Sequence, residues 1–336
     1  MLPGFNWAVV EVMLNGEGPF RMIVDTGAGT TVLNADLVAE LGLESRGTRR
    51  IGDPSRPRAH EVDELTLDMI QVGDATFRGV EAIGWRGPPL VGIGGIRGVL
   101  GFPTFKNCLV TFDYPAQLLE ISAGALPPAD GRRVLDMGTA GMPTITIDVA
   151  GIPIVAHLDT GNSGSLSIPQ SYESELPLVA GSKSRGTGAR GGSPIAFTIA
   201  QLDGNVSLGE AVFERPRVHL SDTLNSANVG FELLRHLRIT LDQRNGRVRF
   251  EQPSVQGDVR RANAAPGTRR MGVQMAMKNG TLFEAVMVVP GSEAEKVGLR
   301  AGDAFLEVDG SPFSQQNFLK ALQGTGRFTL TIERAG

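Results

Sequence analysis

Hydrophobic and polar positions alternate along the chain in short runs. Ala8, Val10, Val12 and Leu14 occupy every second position, and Ile145, Ile147 and Val149 alternate with Thr144, Thr146 and Asp148. A period of two marks a strand with one buried face. The runs are interrupted by Gly, Asn-Gly and Pro, and 44 glycines and 20 prolines suffice to punctuate most of the sequence this way. Helical spacing is rare before residue 270. It becomes clear at Pro312–Leu322, where Phe313, Phe318, Leu319 and Leu322 recur at roughly helical intervals. These patterns predict a mainly β protein over residues 5–252, followed by a small unit of mixed strands and helix.

The strand-rich part repeats itself. Ile23-Val24-Asp25-Thr26-Gly27-Ala28-Gly29 resembles His157-Leu158-Asp159-Thr160-Gly161-Asn162-Ser163-Gly164. Ser45-Arg46-Gly47-Thr48 recurs as Ser184-Arg185-Gly186-Thr187, and Val72-Gly73-Asp74-Ala75-Thr76-Phe77 as Leu208-Gly209-Glu210-Ala211-Val212-Phe213. Leu100-Gly101-Phe102 recurs as Val229-Gly230-Phe231, and Val110-Thr111-Phe112-Asp113 as Ile239-Thr240-Leu241-Asp242. The blocks keep their order while their offsets drift by loop-sized amounts, the signature of an internal duplication. It predicts one lobe over 1–125, a connector over 126–139 around Pro127–Gly131, and a second lobe over 140–252.

A single Asp-Thr-Gly is an ordinary turn, with the Asp side chain bonding nearby backbone and Gly supplying conformational freedom. Two copies, each after an apolar strand and each followed later by apolar-Gly-Phe, carry chemistry. Each strand ends with a carboxylate at the tip of a buried loop, and a pseudo-twofold axis would bring the tips together. Two carboxylates in one site do not both ionise easily, so the pair retains a proton over a useful pH range. One member can activate a water while the other polarises a carbonyl. Asp25 and Asp159 are therefore the candidate catalytic pair.

These motifs, with Val99-Leu100-Gly101 and Asn228-Val229-Gly230, resemble the retropepsin-like and pepsin-like aspartic peptidases. They are most similar to bacterial members with two retropepsin-like halves in one chain. The resemblance implies two β-barrel lobes around a cleft, and cleavage of peptide or protein substrates without a cofactor or metal. It also implies that Thr26 and Thr160 hydrogen-bond across the pair, that Gly27 and Gly161 admit substrate backbone, and that Gly101 and Gly230 pack beneath the loops. Thr48–His60 and Gly186–Ala196 are the candidate flaps. Two features depart from the family. Ala28 fits the retroviral-type motif, but Asn162 stands where Ser, Thr or Ala is usual, and could either bond near Asp159 or distort its loop. Neither flap candidate contains a tyrosine; Tyr114 and Tyr172 lie elsewhere.

After Glu251 the register changes. Residues 253–267 read as a linker. Residues 268–336 resemble a bacterial PDZ domain of the type appended to proteases, through Pro290-Gly291-Ser292-Glu293-Ala294, Gly298-Leu299-Arg300-Ala301-Gly302-Asp303 and Val308-Asp309-Gly310. By that resemblance the backbone of Arg270, Met271, Gly272 and Val273 would cradle a peptide C-terminus, the peptide adding a strand beside the Pro312–Leu322 helix.

Composition narrows the alternatives. A formal net charge of −4 offers no nucleic-acid footprint, and the arginines in 46–58 and 260–270 read as solvated loops and linker. The single cysteine, Cys108, cannot pair internally, and no Cys/His cluster has zinc spacing. No apolar run is long enough to span a membrane as a helix. The N-terminus lacks a leader pattern; cell envelope or periplasm is expected if a leader has been removed, and cytoplasm otherwise. With both halves in one chain, a monomer suffices for the pair. Two rival readings stay open: a catalytically silent, peptide-binding scaffold acting through the C-terminal unit, and a half-site completed only in a homodimer.

Overall fold

The computed structural model describes residues 1–2, 5–51, 60–87, 95–190, 193–252, 273–278, 282–288, 293–300, 302–314, 317–318, 321 and 327–334. The alternating run at Ala8–Leu14 forms the strand Val9–Leu14, with Val9, Val12 and Leu14 buried. It pairs antiparallel with Glu17–Asp25 and closes on His60–Val72. Around the ring the order is Val9–Leu14, Glu17–Asp25, Ile96–Gly101, Thr31–Asn34, Ala75–Trp85, His60–Val72 and back, a closed six-stranded barrel. This mainly β barrel agrees with the retropepsin-like expectation.

A second, nine-stranded sheet repeats the key pairings. Ile152–Leu158 runs parallel to Ala227–Val229, as Glu17–Asp25 does to Ile96–Gly101. Leu166–Pro169 runs parallel to Arg217–Ser221, as Thr31–Asn34 does to Ala75–Trp85. The long hairpin of the first barrel, His60–Val72 with Ala75–Trp85, has a broken counterpart. Ser193–Gln201 and Asn205–Leu208 form one arm, Ala211–Glu214 and Arg217–Ser221 the other. The breaks fall at Gly204 and at Pro216, which has no N–H to offer a ladder. Across the break the Leu202 N–H donates to the Pro216 carbonyl at 3.1 Å.

A central five-stranded sheet joins the two, in the order Val134–Asp136, Arg247–Glu251, Arg238–Asp242, Leu109–Asp113, Leu118–Ser122. Here Thr111 pairs with Thr240, Val110 with Leu241 and Phe112 with Ile239. The Thr111 and Thr240 hydroxyls share a hydrogen bond of 2.9 Å. Thr240 is also the residue that matches Thr111 in the repeated sequence, so the position meets its own equivalent, as at a twofold axis. One hydrophobic core runs through barrel, central sheet and second sheet, including Leu14, Leu33, Phe112, Ile239 and Leu166. The connector is more ordered than its Pro-Gly composition suggests. Val134–Asp136 is a strand, and buried Leu126 is tied by its N–H to Asp242 Oδ2 at 2.9 Å.

Two compact units divide the chain, the first within Met1–Pro253 and the second around Ser254–Gly336. In the second, Val273–Lys278, Leu282–Val288, Asp303–Val308 and Ser311–Pro312 form a sheet, with Leu330–Arg334 also on Asp303–Val308. Ala285, Ala294, Leu299 and Phe305 fill its core beside Phe313. Asp303, 1% exposed, receives two bonds of 2.7 Å from Arg334 and one of 2.8 Å from the Arg300 N–H. That ties the last strand to Arg300 and to the start of Asp303–Val308. The expected helix from Pro312 starts later. Pro312 is in a strand, and Ser314 caps the turn by accepting the Asn317 N–H at 3.2 Å. The expected carboxylate loop at Arg270, Met271 and Gly272, the 253–267 linker, and flap-candidate residues 52–59 and 191–192 lie outside the described residues.

Candidate active site

Two strands deliver the candidate aspartates. Asp25 ends Glu17–Asp25 opposite Gly101, and Asp159 directly follows Ile152–Leu158, its N–H donating to the Val229 carbonyl at 3.1 Å. Both loops then fold alike. Ala28 N–H bonds back to the Asp25 carbonyl at 3.2 Å, and Asn162 N–H to the Asp159 carbonyl at 3.2 Å. Phe102 N–H reaches the Ala28 carbonyl at 2.9 Å, and Phe231 N–H the Asn162 carbonyl at 2.7 Å. Glycine is required beneath each loop by space. A Cβ on Gly101 would lie 2.4 Å from the Thr30 carbonyl oxygen, and one on Gly230 would lie 2.5 Å from that of Gly164.

The loops are clasped reciprocally. Thr26 Oγ1 donates to the Leu158 carbonyl at 2.5 Å and accepts the Thr160 N–H at 3.1 Å. Thr160 Oγ1 donates to the Val24 carbonyl at 2.7 Å and accepts the Thr26 N–H at 3.0 Å. Both threonines are buried, at 1% and 2% exposure, so these four bonds form away from water. The clasp brings the carboxyl groups together. A Cβ on Gly27 would lie 2.4 Å from Asp159 Oδ1, and one on Gly161 would lie 2.3 Å from Asp25 Cγ. Only glycine leaves room for the opposing carboxyl.

Each carboxylate accepts its own loop's glycine N–H, Gly27 to Asp25 Oδ1 at 2.7 Å and Gly161 to Asp159 Oδ1 at 3.0 Å. Beyond that the surroundings diverge. Burial, and then the negative charge of Asp159, lift Asp25 well above the ordinary carboxylate range, while the Gly27 and Gly161 N–H groups pull the other way. Asp159 Oδ2 accepts a bond of 2.6 Å from Asn228 Nδ2. Asn162, the departure noted above, leaves the loop's backbone bonds intact and donates to Asn228 Oδ1 at 2.7 Å.

Three contributors were not singled out from the sequence. Asn228 could have been, because it is polar where the first copy has Val99. Trp7, from the start of the chain, donates its Nε1–H to the Gly161 carbonyl at 2.9 Å and braces the second loop. Tyr114 is buried against Phe112 and Phe231, and burial with the charges of Asp159 and Asp25 raises its hydroxyl above the usual tyrosine range, so it stays neutral. Nothing in the local sequence around either residue signals these contacts. Among the described residues no cluster of His, Cys, Asp or Glu is arranged to hold a metal, and no helix is long and apolar enough to cross a membrane.

Residues 10–104 match the family model described as an aspartyl protease. The match contains Asp25-Thr26-Gly27 and Val99-Leu100-Gly101, so the first barrel is an aspartyl protease-like domain. No curated protein matches the chain.

Proposed function

We propose that this protein is an aspartic endopeptidase formed from two retropepsin-like halves of one chain, with Asp25 and Asp159 as the catalytic pair. The observation that carries the reading is the contact between the loops: reciprocal threonine bonds seat each carboxyl against the other loop's glycine.

In this reading the pair shares one proton and holds a water between its carboxyl groups. The ionised member takes a proton from the water, whose oxygen attacks the scissile carbonyl carbon. The protonated member gives its proton to the carbonyl oxygen, forming a neutral gem-diol. As the C–N bond breaks, the first carboxyl delivers its new proton to the leaving nitrogen. The second recovers a proton from a diol hydroxyl, and the pair returns to its starting state with one water consumed. Thr26 and Thr160 hold the geometry, and no second copy of the chain is needed. Thr48–His60 and Gly186–Ala196 are the proposed flaps, and their described residues lie in the paired strands Gly47–Ile51 with His60–Val72 and Ser184–Arg190 with Ser193–Gln201.

The C-terminal unit is proposed to be a PDZ-like recognition module. Among the described residues its strand Val273–Lys278 pairs only with Leu282–Val288, which leaves one edge for a peptide to extend the sheet.

Cleavage of a peptide library between about pH 3 and pH 8 tests the peptidase reading, with Asp25→Asn and Asp159→Asn as controls. Each substitution is expected to reduce kcat/KM by at least ~10²–10⁴-fold. Activity that survives both rejects the pair. An inert wild-type chain leaves the peptide-binding scaffold as the better account.

A further inference from the structure

The two loops match in backbone and differ in the side chains behind the carboxylates. Asp25 pairs in register with Gly101, and Ile23, two residues earlier, with Val99. In the second copy His157 holds the place of Ile23 and pairs with Asn228, which stands where Val99 does. Val99 cannot donate a hydrogen bond. Asn228 does, to Asp159 Oδ2.

The direction of that bond is anchored at its far end. The Gly164 N–H, a backbone donor with no alternative role, donates to Asn162 Oδ1 at 2.8 Å. This identifies that atom as oxygen and turns Asn162 Nδ2 toward Asn228, whose Oδ1 accepts it at 2.7 Å. Asn228 is left with only its N–H groups to present to Asp159, at 2.6 Å. Every donor in the chain Gly164, Asn162, Asn228 points toward Asp159. Reversing the Asn228 amide would set its Nδ2 against the Asn162 Nδ2 and its oxygen against the Asp159 carboxylate, breaking two bonds at once.

We infer that Asn228, oriented by Asn162, is a positioning residue that breaks the symmetry of the pair: Asp159 carries the negative charge, and Asp25 carries the shared proton. Donors aimed at a carboxylate favour its ionised form. In the proposed peptidase, on which the functional part of this inference rests, Asp159 is then the base that takes the water proton. Asp25 is the acid that protonates the carbonyl oxygen. The other titratable groups around the second loop do not oppose the assignment. Tyr114 stays neutral, and His219, behind Gly164 and stacked on Phe197, is lowered to about 4 by burial and Arg217. His157 precedes Asp159 by two residues and faces Asn228 across the ladder. The upward displacement of Asp25, caused first by burial, has the same sense.

The test is the carboxyl-carbon NMR titration of the full chain labelled with ¹³C at aspartate, with the two resonances assigned by the signals that Asp25→Asn and Asp159→Asn remove. Asp159 is expected at its ionised position and Asp25 at its protonated position through mildly acidic pH, with Asp25 titrating last. Asn228→Val, which restores the residue type of the first copy, is expected to raise the lower titration of the pair by about one pH unit. The acidic limb of any peptide cleavage should move upward by the same amount. Asn162→Ala, which frees the Asn228 amide to rotate, should move it in the same direction by less. Asp25 ionising before Asp159, or a folded Asn228→Val variant with an unmoved lower titration, overturns the assignment. A failure of the peptidase reading looks different: no cleavage at any pH, with the order of titration intact.

Discussion

The two aspartate loops have the same backbone bonds and opposite flanks. In the first barrel Ile23 faces Val99, Val99 faces Val32, and Val32 faces Ile83. All four belong to one buried apolar cluster, with Ala28 packed at its margin. At the corresponding register positions of the second sheet stand His157, Asn228, Ser167 and His219, with Asn162 at the loop. An apolar bed penalises charge on the carboxylate beside it, whereas an amide chain stabilises it. The difference teaches that a twofold repeat can fix the distance between two acids while leaving the proton between them unequally shared. Symmetry resides in the clasp and in the glycines; asymmetry resides in the flanking strands.

The symmetric part is tested most severely at the clasp. Thr26→Val strands the Leu158 carbonyl and the Thr160 N–H, and Thr160→Val strands the Val24 carbonyl and the Thr26 N–H. Valine keeps the volume and removes the hydroxyl. Two buried polar groups left without partners cost about 2–6 kcal/mol. Urea unfolding of the two variants should give losses of that size, equal to within about 1 kcal/mol. A clearly unequal pair of losses would show that the clasp is not the symmetric element described here.

The glycines come next. Gly27→Ala and Gly161→Ala each place a methyl group inside the opposing carboxyl. The carboxyl must move, and misplacement on the scale of 1 Å costs about 10²-fold in a positioned reaction. Both variants should remain folded and lose about that factor in kcat/KM for a cleaved peptide, equivalent to just under 3 kcal/mol. Full activity in either would mean that the carboxyl can withdraw freely, which contradicts a rigidly held pair.

Much of this architecture was legible in the residues because strands report their own burial. The alternation at Val9–Leu14 and Thr144–Val149 predicts strands where strands occur. Gly101 and Gly230 could be singled out because each loop repeats its motif, and the space beneath explains why no side chain is tolerated. The connector strand Val134–Asp136 was hidden, since three residues are too few to display a period and the flanking Pro and Gly suggest a loop. Trp7 and Tyr114 were hidden for a different reason. Their partners are 154 residues away in one case and, in the other, brought together only by the central sheet. Asn228 is the instructive intermediate. Its departure from Val99 was visible, but its meaning required knowing that Asn162 and Gly164 hold it in one orientation.

The smallest effect discriminates most directly between the two acids. Asp25 is displaced upward in the folded protein from an unfolded value near 3.9, about that of a free aspartate. Above that unfolded value, and until Asp25 itself ionises, the folded state binds more protons than the unfolded state, so this group makes stability fall as pH rises through that window. Asn at position 25 removes the term. The Asp25→Asn variant should therefore gain on the wild type as pH rises from about 5.5 to about 6.5, by on the order of 1 kcal/mol in urea unfolding. Asp159→Asn should gain less, because it removes only the second cause of the Asp25 displacement and leaves the first, burial. It relieves the charge beside Asp25, but it also surrenders the charge-assisted bond from Asn228. A larger rise in relative stability for Asp25→Asn than for Asp159→Asn supports unequal sharing of the proton. Equal rises for both variants would return the pair to symmetry and leave Asn228 as no more than a packing residue.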